Sequence, residues 1–213
     1  MGQRRYHQFC GVAKALDLVG ERWTLLLVRD LLLGGRRFSD LLAAMPGLTP
    51  NLLSTRLDTM QASELVQRRR LPPPQAATVY ELTELGRQLE PVVLALGRFG
   101  ARWLTRPDAD DRIDPRWAMV SLKRRYVGCP RLWCVGLRIG ELPFTIEIGA
   151  EQAHVRDGAP PHPDLSLSGE LPVFGALLVG GASARELVAE GRLGREGPAR
   201  ALADFARAFG LTP

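Results

Sequence analysis

The stretch Thr49-Pro50-Asn51-Leu52-Leu53-Ser54-Thr55-Arg56-Leu57-Asp58-Thr59-Met60 decides how the first half of the chain is read. It opens as a helix opens: Thr49 can cap with its hydroxyl, and Pro50 stands where a missing N–H costs nothing. At helical spacing Leu53, Leu57 and Met60 fall together with Leu52 beside them, while Asn51, Ser54, Thr55 and Asp58 face away. Short hydrogen-bonding side chains on an outer face are what a helix needs to lie in the major groove and touch base edges. Alone, the stretch is equally an ordinary surface helix. Its neighbours decide between the two.

Upstream, residues 10–20 read as a short helix stopped by Gly20. Residues 22–33 read as a largely buried helix, with Trp23, Leu26, Leu27 and Leu31 at helical spacing and Gly34-Gly35 at its end. Residues 38–44 form a further helix of about two turns, and Met45-Pro46-Gly47-Leu48 turns the chain into the Thr49 stretch. Two helices joined by a Gly-containing turn, the second polar on its outer face, make a helix-turn-helix. Downstream, residues 65–70 read as a strand that becomes basic and 79–82 as its return partner, around the proline-stiffened tip Leu71-Pro72-Pro73-Pro74-Gln75-Ala76-Ala77-Thr78. A basic hairpin directly after a recognition helix is a wing. Residues 84–103 then predict a long helix bent at Pro91, with Leu85, Leu89, Val92, Val93, Leu96, Phe99 and Trp103 on one side. That is more apolar face than a small winged domain buries itself, and a dimer interface is its natural use.

Cys10 through Trp103 resembles the HxlR family of winged helix-turn-helix transcriptional regulators. The likeness rests on Lys14-Ala15-Leu16-Asp17-Leu18-Val19-Gly20, Trp23-Thr24-Leu25-Leu26, Arg29-Asp30-Leu31 and Arg37-Phe38-Ser39-Asp40-Leu41. It continues with Leu53-Ser54-Thr55-Arg56-Leu57, Tyr80-Glu81-Leu82-Thr83-Glu84-Leu85-Gly86-Arg87 and Leu89-Glu90-Pro91-Val92. The resemblance implies a homodimer on a pseudo-palindromic operator in double-stranded DNA, held by its terminal helices. The proline-rich wing tip departs from the family pattern. Cys10 aligns with a cysteine that some such regulators use as a thiol sensor; Arg4, Arg5 or the start of the following helix could lower its pKa. The competing expectation is a small buried residue in the dimer helix.

The candidate DNA contacts are graded by position. Asn51, Ser54 and Thr55 can read bases, with Thr49 at the helix start; Arg56 lies at the edge of the apolar face and suits phosphate. Arg36, Arg37 and Ser39 stand before and at the start of the first helix of the pair, and Arg68, Arg70, Gln75 and Thr78 lie on the wing. Arg68, Arg69 and Arg70 alternate across a strand, so they cannot all reach DNA.

Charge agrees with this placement. The chain of 213 residues carries a net +5, of which residues 1–106 hold 15 Lys and Arg against 9 Asp and Glu, and residues 107–213 hold 13 against 14. A basic first half suits a polyanionic partner. No apolar run is long enough for a bilayer, the start lacks the apolar core of a signal peptide, and the 3 cysteines are scattered. A cytoplasmic protein with free thiols and no membrane partner is expected.

The polar break Pro107-Asp108-Ala109-Asp110-Asp111-Arg112 divides residues 1–106 from a second domain at 107–213. There the pattern gives a helix at 117–126, short strands at 132–138, 144–148, 153–156 and 165–168, and helices at 171–179, 183–190 and 198–209. Strands followed by helices mean an α+β domain with helices on one face of a sheet. Asp164-Leu165-Ser166-Leu167-Ser168-Gly169 and Glu186-Leu187-Val188-Ala189-Glu190-Gly191-Arg192-Leu193 resemble the sterol-carrier-protein-like fold. That resemblance implies an apolar ligand cavity, for which the candidate lining is Trp133, Val135, Phe144, Ile146 and Leu165, with Leu167, Phe174, Leu177 and Leu178. Each is equally a core residue.

The sequence offers no catalytic constellation. His7, His154 and His162 are far apart, Cys129 and Cys134 have no second ligand pair for zinc, and there is no P-loop or dinucleotide fingerprint. The expectation is a non-enzyme without cofactor or metal: a dimeric DNA-binding regulator, in the first instance a repressor, controlled by an apolar small molecule in its carboxy-terminal domain. The alternatives are a regulator whose second domain is structural, controlled by Cys10 oxidation or constitutive, and a lipid carrier or enzyme-accessory protein whose winged domain merely dimerises.

Overall fold

A computed structural model describes residues 5–73, 76–104, 108 and 110–213. The chain divides into two units, Met1–Val93 and Leu94–Pro213.

The first unit contains α1 (Gly11–Val19), α2 (Thr24–Leu31), α3 (Phe38–Ala44), α4 (Pro50–Ala62), the hairpin β1 (Val66–Arg70) and β2 (Thr78–Leu82), and the single turn α5 (Glu84–Arg87). Its core is the inner faces of α2, α3 and α4: Leu27, Val28, Leu41, Leu53 and Leu57 are all 0% exposed. Burying each such side chain is worth about 1.5–3 kcal/mol. Helix α4 begins as its sequence dictates, with the Thr49 hydroxyl accepting the Leu52 N–H at 3.3 Å and Pro50 in the first turn.

Three expectations are corrected. Helix α2 starts at Thr24, not Arg22, because Trp23 sits at φ 82. A left-handed residue cannot continue a right-handed helix, so it reverses the chain first. Leu52 does not join the apolar face of α4; it is 37% exposed. The long helix over 84–103 is broken into α5, α6 (Glu90–Gly100) and a 3-10 turn, Ala101–Trp103. The break falls before Pro91 because a proline has no N–H for the preceding turn and fits best in the first turn of a new helix.

A dense knot holds α5 to the hairpin. The Thr83 N–H donates to Leu65 O at 3.1 Å, its hydroxyl donates to Glu64 O at 2.5 Å, and the same hydroxyl accepts the Gly86 N–H at 3.0 Å. A Cβ at Gly86 would lie 2.0 Å from Leu65 O, so only glycine lets α5 approach this closely.

The second unit carries the rest of α6, then α7 (Pro115–Arg124) and a five-stranded sheet. Its strands are β3 (Trp133–Ile139), β4 (Leu142–Ile148), β5 (Ala153–Asp157), β6 (Leu165–Gly169) and β7 (Gly194–Glu196), in the order β5-β4-β3-β6-β7. Only the β3–β6 pair is parallel. Helices α8 (Leu171–Leu178), α9 (Ala184–Ala189) and α10 (Ala199–Ala208) complete the unit, which is α+β as expected. Strand β7 had no expected counterpart. Val135, Leu137, Phe144, Ile146, Leu165 and Leu167 alternate onto the buried face, 0–3% exposed. On the other face the connection from β5 to β6 runs over the strands. Thr145, itself 0% exposed, donates its hydroxyl to Gly158 O at 2.8 Å, and a Cβ at Gly136 would meet Pro160 at 3.3 Å and Pro163 at 3.5 Å.

Candidate nucleic-acid interface

Helix α4 is divided as base reading requires. Leu53, Leu57 and Met60 are buried on one face, and Asn51, Ser54 and Thr55 are exposed on the other. Their capacities differ. The Thr55 hydroxyl donates to Asn51 O at 2.9 Å, which leaves it as an acceptor, whereas the Asn51 amide can both donate and accept. Thr49 is exposed, but its hydroxyl oxygen serves as the cap. Arg37 and Ser39 are exposed at the start of α3, where the Asp40 carboxylate accepts the Arg37 N–H at 3.3 Å and the Ser39 hydroxyl at 3.4 Å.

Two arginines expected at phosphates are placed elsewhere. The Arg36 guanidinium is 10% exposed and donates to Asp30 at 2.9 Å; Arg29 meets the other oxygen of that fully buried carboxylate at 2.7 Å. The Arg36 backbone also pairs with Tyr80 in both directions, at 2.9 and 2.8 Å. Arg36 is thus a staple from α2 to the wing. The physical reason is Asp30: a carboxylate on a buried helix face needs cations at both oxygens. Arg56, 13% exposed, pairs with Glu21 at 3.2 Å and ties α4 to the turn between α1 and α2. Beside that pair lies a cleft of about 360 Å³ whose wall includes Arg22, Trp23, Gly47 and Leu52. Sequence reasoning placed Arg22 inside a helix; it is exposed, over the Trp23 ring at 5.0 Å. Only a recognition that Trp23 turns the chain could have put it beside α4.

The wing sorts its arginines by strand alternation. With Arg70 opposite Thr78, Arg68 opposite Tyr80 and Gln67 opposite Glu81, Arg68 and Arg70 share a face with Thr78, while Arg69 lies on the other. Arg69 donates to Glu81 at 2.7 Å. Partial burial of Glu81 opposes its charge, but hydrogen bonds from Arg69 and Gln67, with the charges of Arg69 and Arg87, hold its carboxyl below the usual range. Arg68 stacks on Tyr80 at 5.1 Å and meets Asp58 at 3.3 Å, which neutralises the carboxylate on the outer face of α4. Arg70 is exposed and has no ion-pair partner among the described residues. Gln75 lies outside the described residues.

The remaining candidates sit away from this surface. Cys10 is exposed in the single chain at the N-cap of α1, and the Ala13 and Val12 N–H groups lower its thiol pKa. The exposed apolar side chains of α6 and the following turn are Val92, Leu96, Phe99 and Trp103, at 44–63%. All nine residues proposed to line a ligand cavity, Trp133 through Leu178, are 0–6% exposed in the core of the second unit. A separate open cleft of about 740 Å³ lies at one end of the sheet, and of those nine only Trp133 lines it. Among the described residues no group of three or more His, Cys, Asp or Glu could hold a metal ion, and no helix is long and apolar enough to cross a membrane.

Comparison with known proteins bears on the first half of the chain. The family of HxlR-like helix-turn-helix proteins matches residues 18–108. The HTH-type transcriptional regulator sll1512 of Synechocystis is 33% identical over 95 residues, 45% of this chain and 70% of that protein. YvaP, an HTH-type transcriptional regulator of Bacillus subtilis, is 34% identical over 91 residues, 43% of this chain and 84% of that protein. Among solved structures, the redox regulator HypR in its reduced form is 30% identical with a TM-score of 0.41, covering 44% of this chain and 92% of that one. With two regulators matched at a third identity over most of their own length, the chain belongs to the HxlR-like helix-turn-helix family.

Proposed function

We propose that the protein is a sequence-specific DNA-binding transcriptional regulator, a homodimer that represses from a pseudo-palindromic operator. The observation that carries this is the split of α4: a buried leucine face and an outer face of Asn51, Ser54 and Thr55, with exposed Arg70 on the wing. Asn51 reads an adenine or another donor–acceptor edge; Arg70, Arg37 and Arg68 meet phosphates. Residues 1–106 bind DNA and dimerise, the apolar face of α6 supplying the contact between copies. Residues 107–213, sterol-carrier-protein-like, form an effector unit whose small-molecule ligand favours a dimer geometry that no longer fits half-sites one turn apart.

The test begins with operator selection from random duplexes, followed by binding of single-site variants to the selected sequence. Asn51→Ala is expected to cost about 1–3 kcal/mol and relax preference at one base position. Arg70→Ala is expected to weaken all sequences alike and to lower the salt slope by about one. Equal effects of both variants on selected and random DNA would sink the assignment of α4 as the reading helix.

A second reading is favoured by Cys10, exposed with a lowered thiol pKa at the start of α1. In it the carboxy-terminal unit is structural and oxidation of Cys10 is the signal. A Cys10→Ser variant that kept its full response to oxidants would remove this reading.

A further inference from the structure

The open cleft in the second unit lies where β3 begins, β4 ends and β5 begins. Its apolar wall is Leu132, Trp133 and Ile148; its charged wall is Glu147, Glu151 and Asp164, with no Lys or Arg among the lining residues. At about 740 Å³ it has the capacity of a small-molecule site. One feature besides the carboxylates marks what it takes. Leu132 is 78% exposed, an apolar surface left for a ligand to cover.

The chain itself shows where a cation rests. Arg131 reaches in from the rim with its guanidinium carbon 5.6 Å over the Trp133 ring and Nη2 3.5 Å from Asp164. Aromatic face on one side and carboxylate on the other is the arrangement that recognises organic cations. Arg131 is 58% exposed and Asp164 43%, and Arg156 holds Glu147 at 3.2 Å with both about half exposed. Ion pairs this open to water contribute little and exchange readily. Glu151 has no ion-pair partner among the described residues.

We infer that this cleft binds a small organic cation with an apolar body, its charged centre displacing Arg131 over Trp133 and beside Asp164. The inference rests on the reading of residues 107–213 as the effector unit, and it replaces an uncharged ligand in the sheet core with a cationic one at the sheet end. Glu151, outside any ion pair among the described residues, supplies long-range attraction; Leu132 and Ile148 cover the apolar body.

Tetraphenylphosphonium and tetraphenylborate have the same shape and opposite charge, and calorimetric titration of the full chain with each tests the inference. The cation is expected to bind one per subunit and the anion not at all. Glu151→Gln should weaken the cation several-fold, from the loss of its unpaired charge in a half-wet cleft. Arg131→Ala should tighten it several-fold, because the internal competitor is gone. Equal binding of the two probes, or an Arg131→Ala variant that folds normally by circular dichroism yet binds no more tightly, overturns the site. Operator affinity with and without the bound cation separates the two ideas: no change rejects the effector reading and leaves the site standing.

Discussion

Replacing Asp30 by Asn leaves the shape of α2 unchanged and removes the charge on which two arginines converge. Asp30 is fully buried, Arg36 is 10% and Arg29 20% exposed, and each guanidinium meets its own carboxylate oxygen. Removing one partner of a buried ion pair costs about 3–5 kcal/mol, mostly for the charge left behind. Here two cations lose their carboxylate, but both keep some water and Asn retains one acceptor, so the loss is about 3 kcal/mol. For a unit of this size each kcal/mol moves the midpoint by about 4–8 °C, so the first unit should melt roughly 12–24 °C lower. Differential scanning calorimetry of the full chain measures this, with the transition of the second unit as internal reference. Adding Arg36→Gln to Asp30→Asn should cost less than the sum of the two single changes, because it removes one stranded cation. A loss under about 1 kcal/mol, or strict additivity, would refute the view of Arg36 as an internal staple and return it to the candidates for phosphate contact.

Other outcomes follow from the same geometry. Gly86→Ala puts a methyl 2.0 Å from the backbone oxygen of Leu65, and chemical denaturation should show a loss of at least about 2–3 kcal/mol; an unchanged midpoint would mean that α5 is not pinned to the hairpin. Glu81 has a lowered folded pKa, so its contribution to the wing is full above the ordinary carboxylate range and is lost as pH falls through the lowered value. Glu81→Gln should therefore flatten the acid side of the stability profile, measured by denaturant titration across pH. Cys10, lowered by two helix N–H groups, should react with a thiol reagent before Cys134, which burial and then the Glu147 and Asp164 charges push up; the reverse order in a mass-resolved alkylation course would contradict both placements.

The elements were legible where local chemistry and burial agree. Thr49-Pro50 capped α4 as read, and the alternation of Val135, Leu137, Phe144 and Ile146 gave the sheet its inner face. What the sequence could not carry was the fate of individual charges. Arg36 beside Arg37 looks like a phosphate clamp, yet Arg36 is drawn in by Asp30, six residues before it in α2. Arg56 is taken by Glu21, separated by 35 residues. Nothing local distinguishes these arginines from Arg70, because the partner is supplied by the tertiary fold. Strand β7 escaped for the opposite reason: Gly-Arg-Glu has no strand propensity and is extended only because it pairs with β6. The break before Pro91 was announced by the proline itself, and its mark is the start of a new helix rather than the bend of an old one.

The proline-rich connection from β5 to β6 has a consequence for how this chain can be cut and rebuilt. Its composition is that of an insertion site, a nicking point or a place to open new termini. Yet the Gly158 carbonyl holds the buried Thr145 hydroxyl, and Pro160 and Pro163 lie on Gly136 in the middle of the sheet. A protease must lift that segment off the strands before cleaving it, and a tag or permuted end placed there would uncover the outer side of β3 and β4. The exposed turn Glu141 between β3 and β4 is the safer place to open the chain.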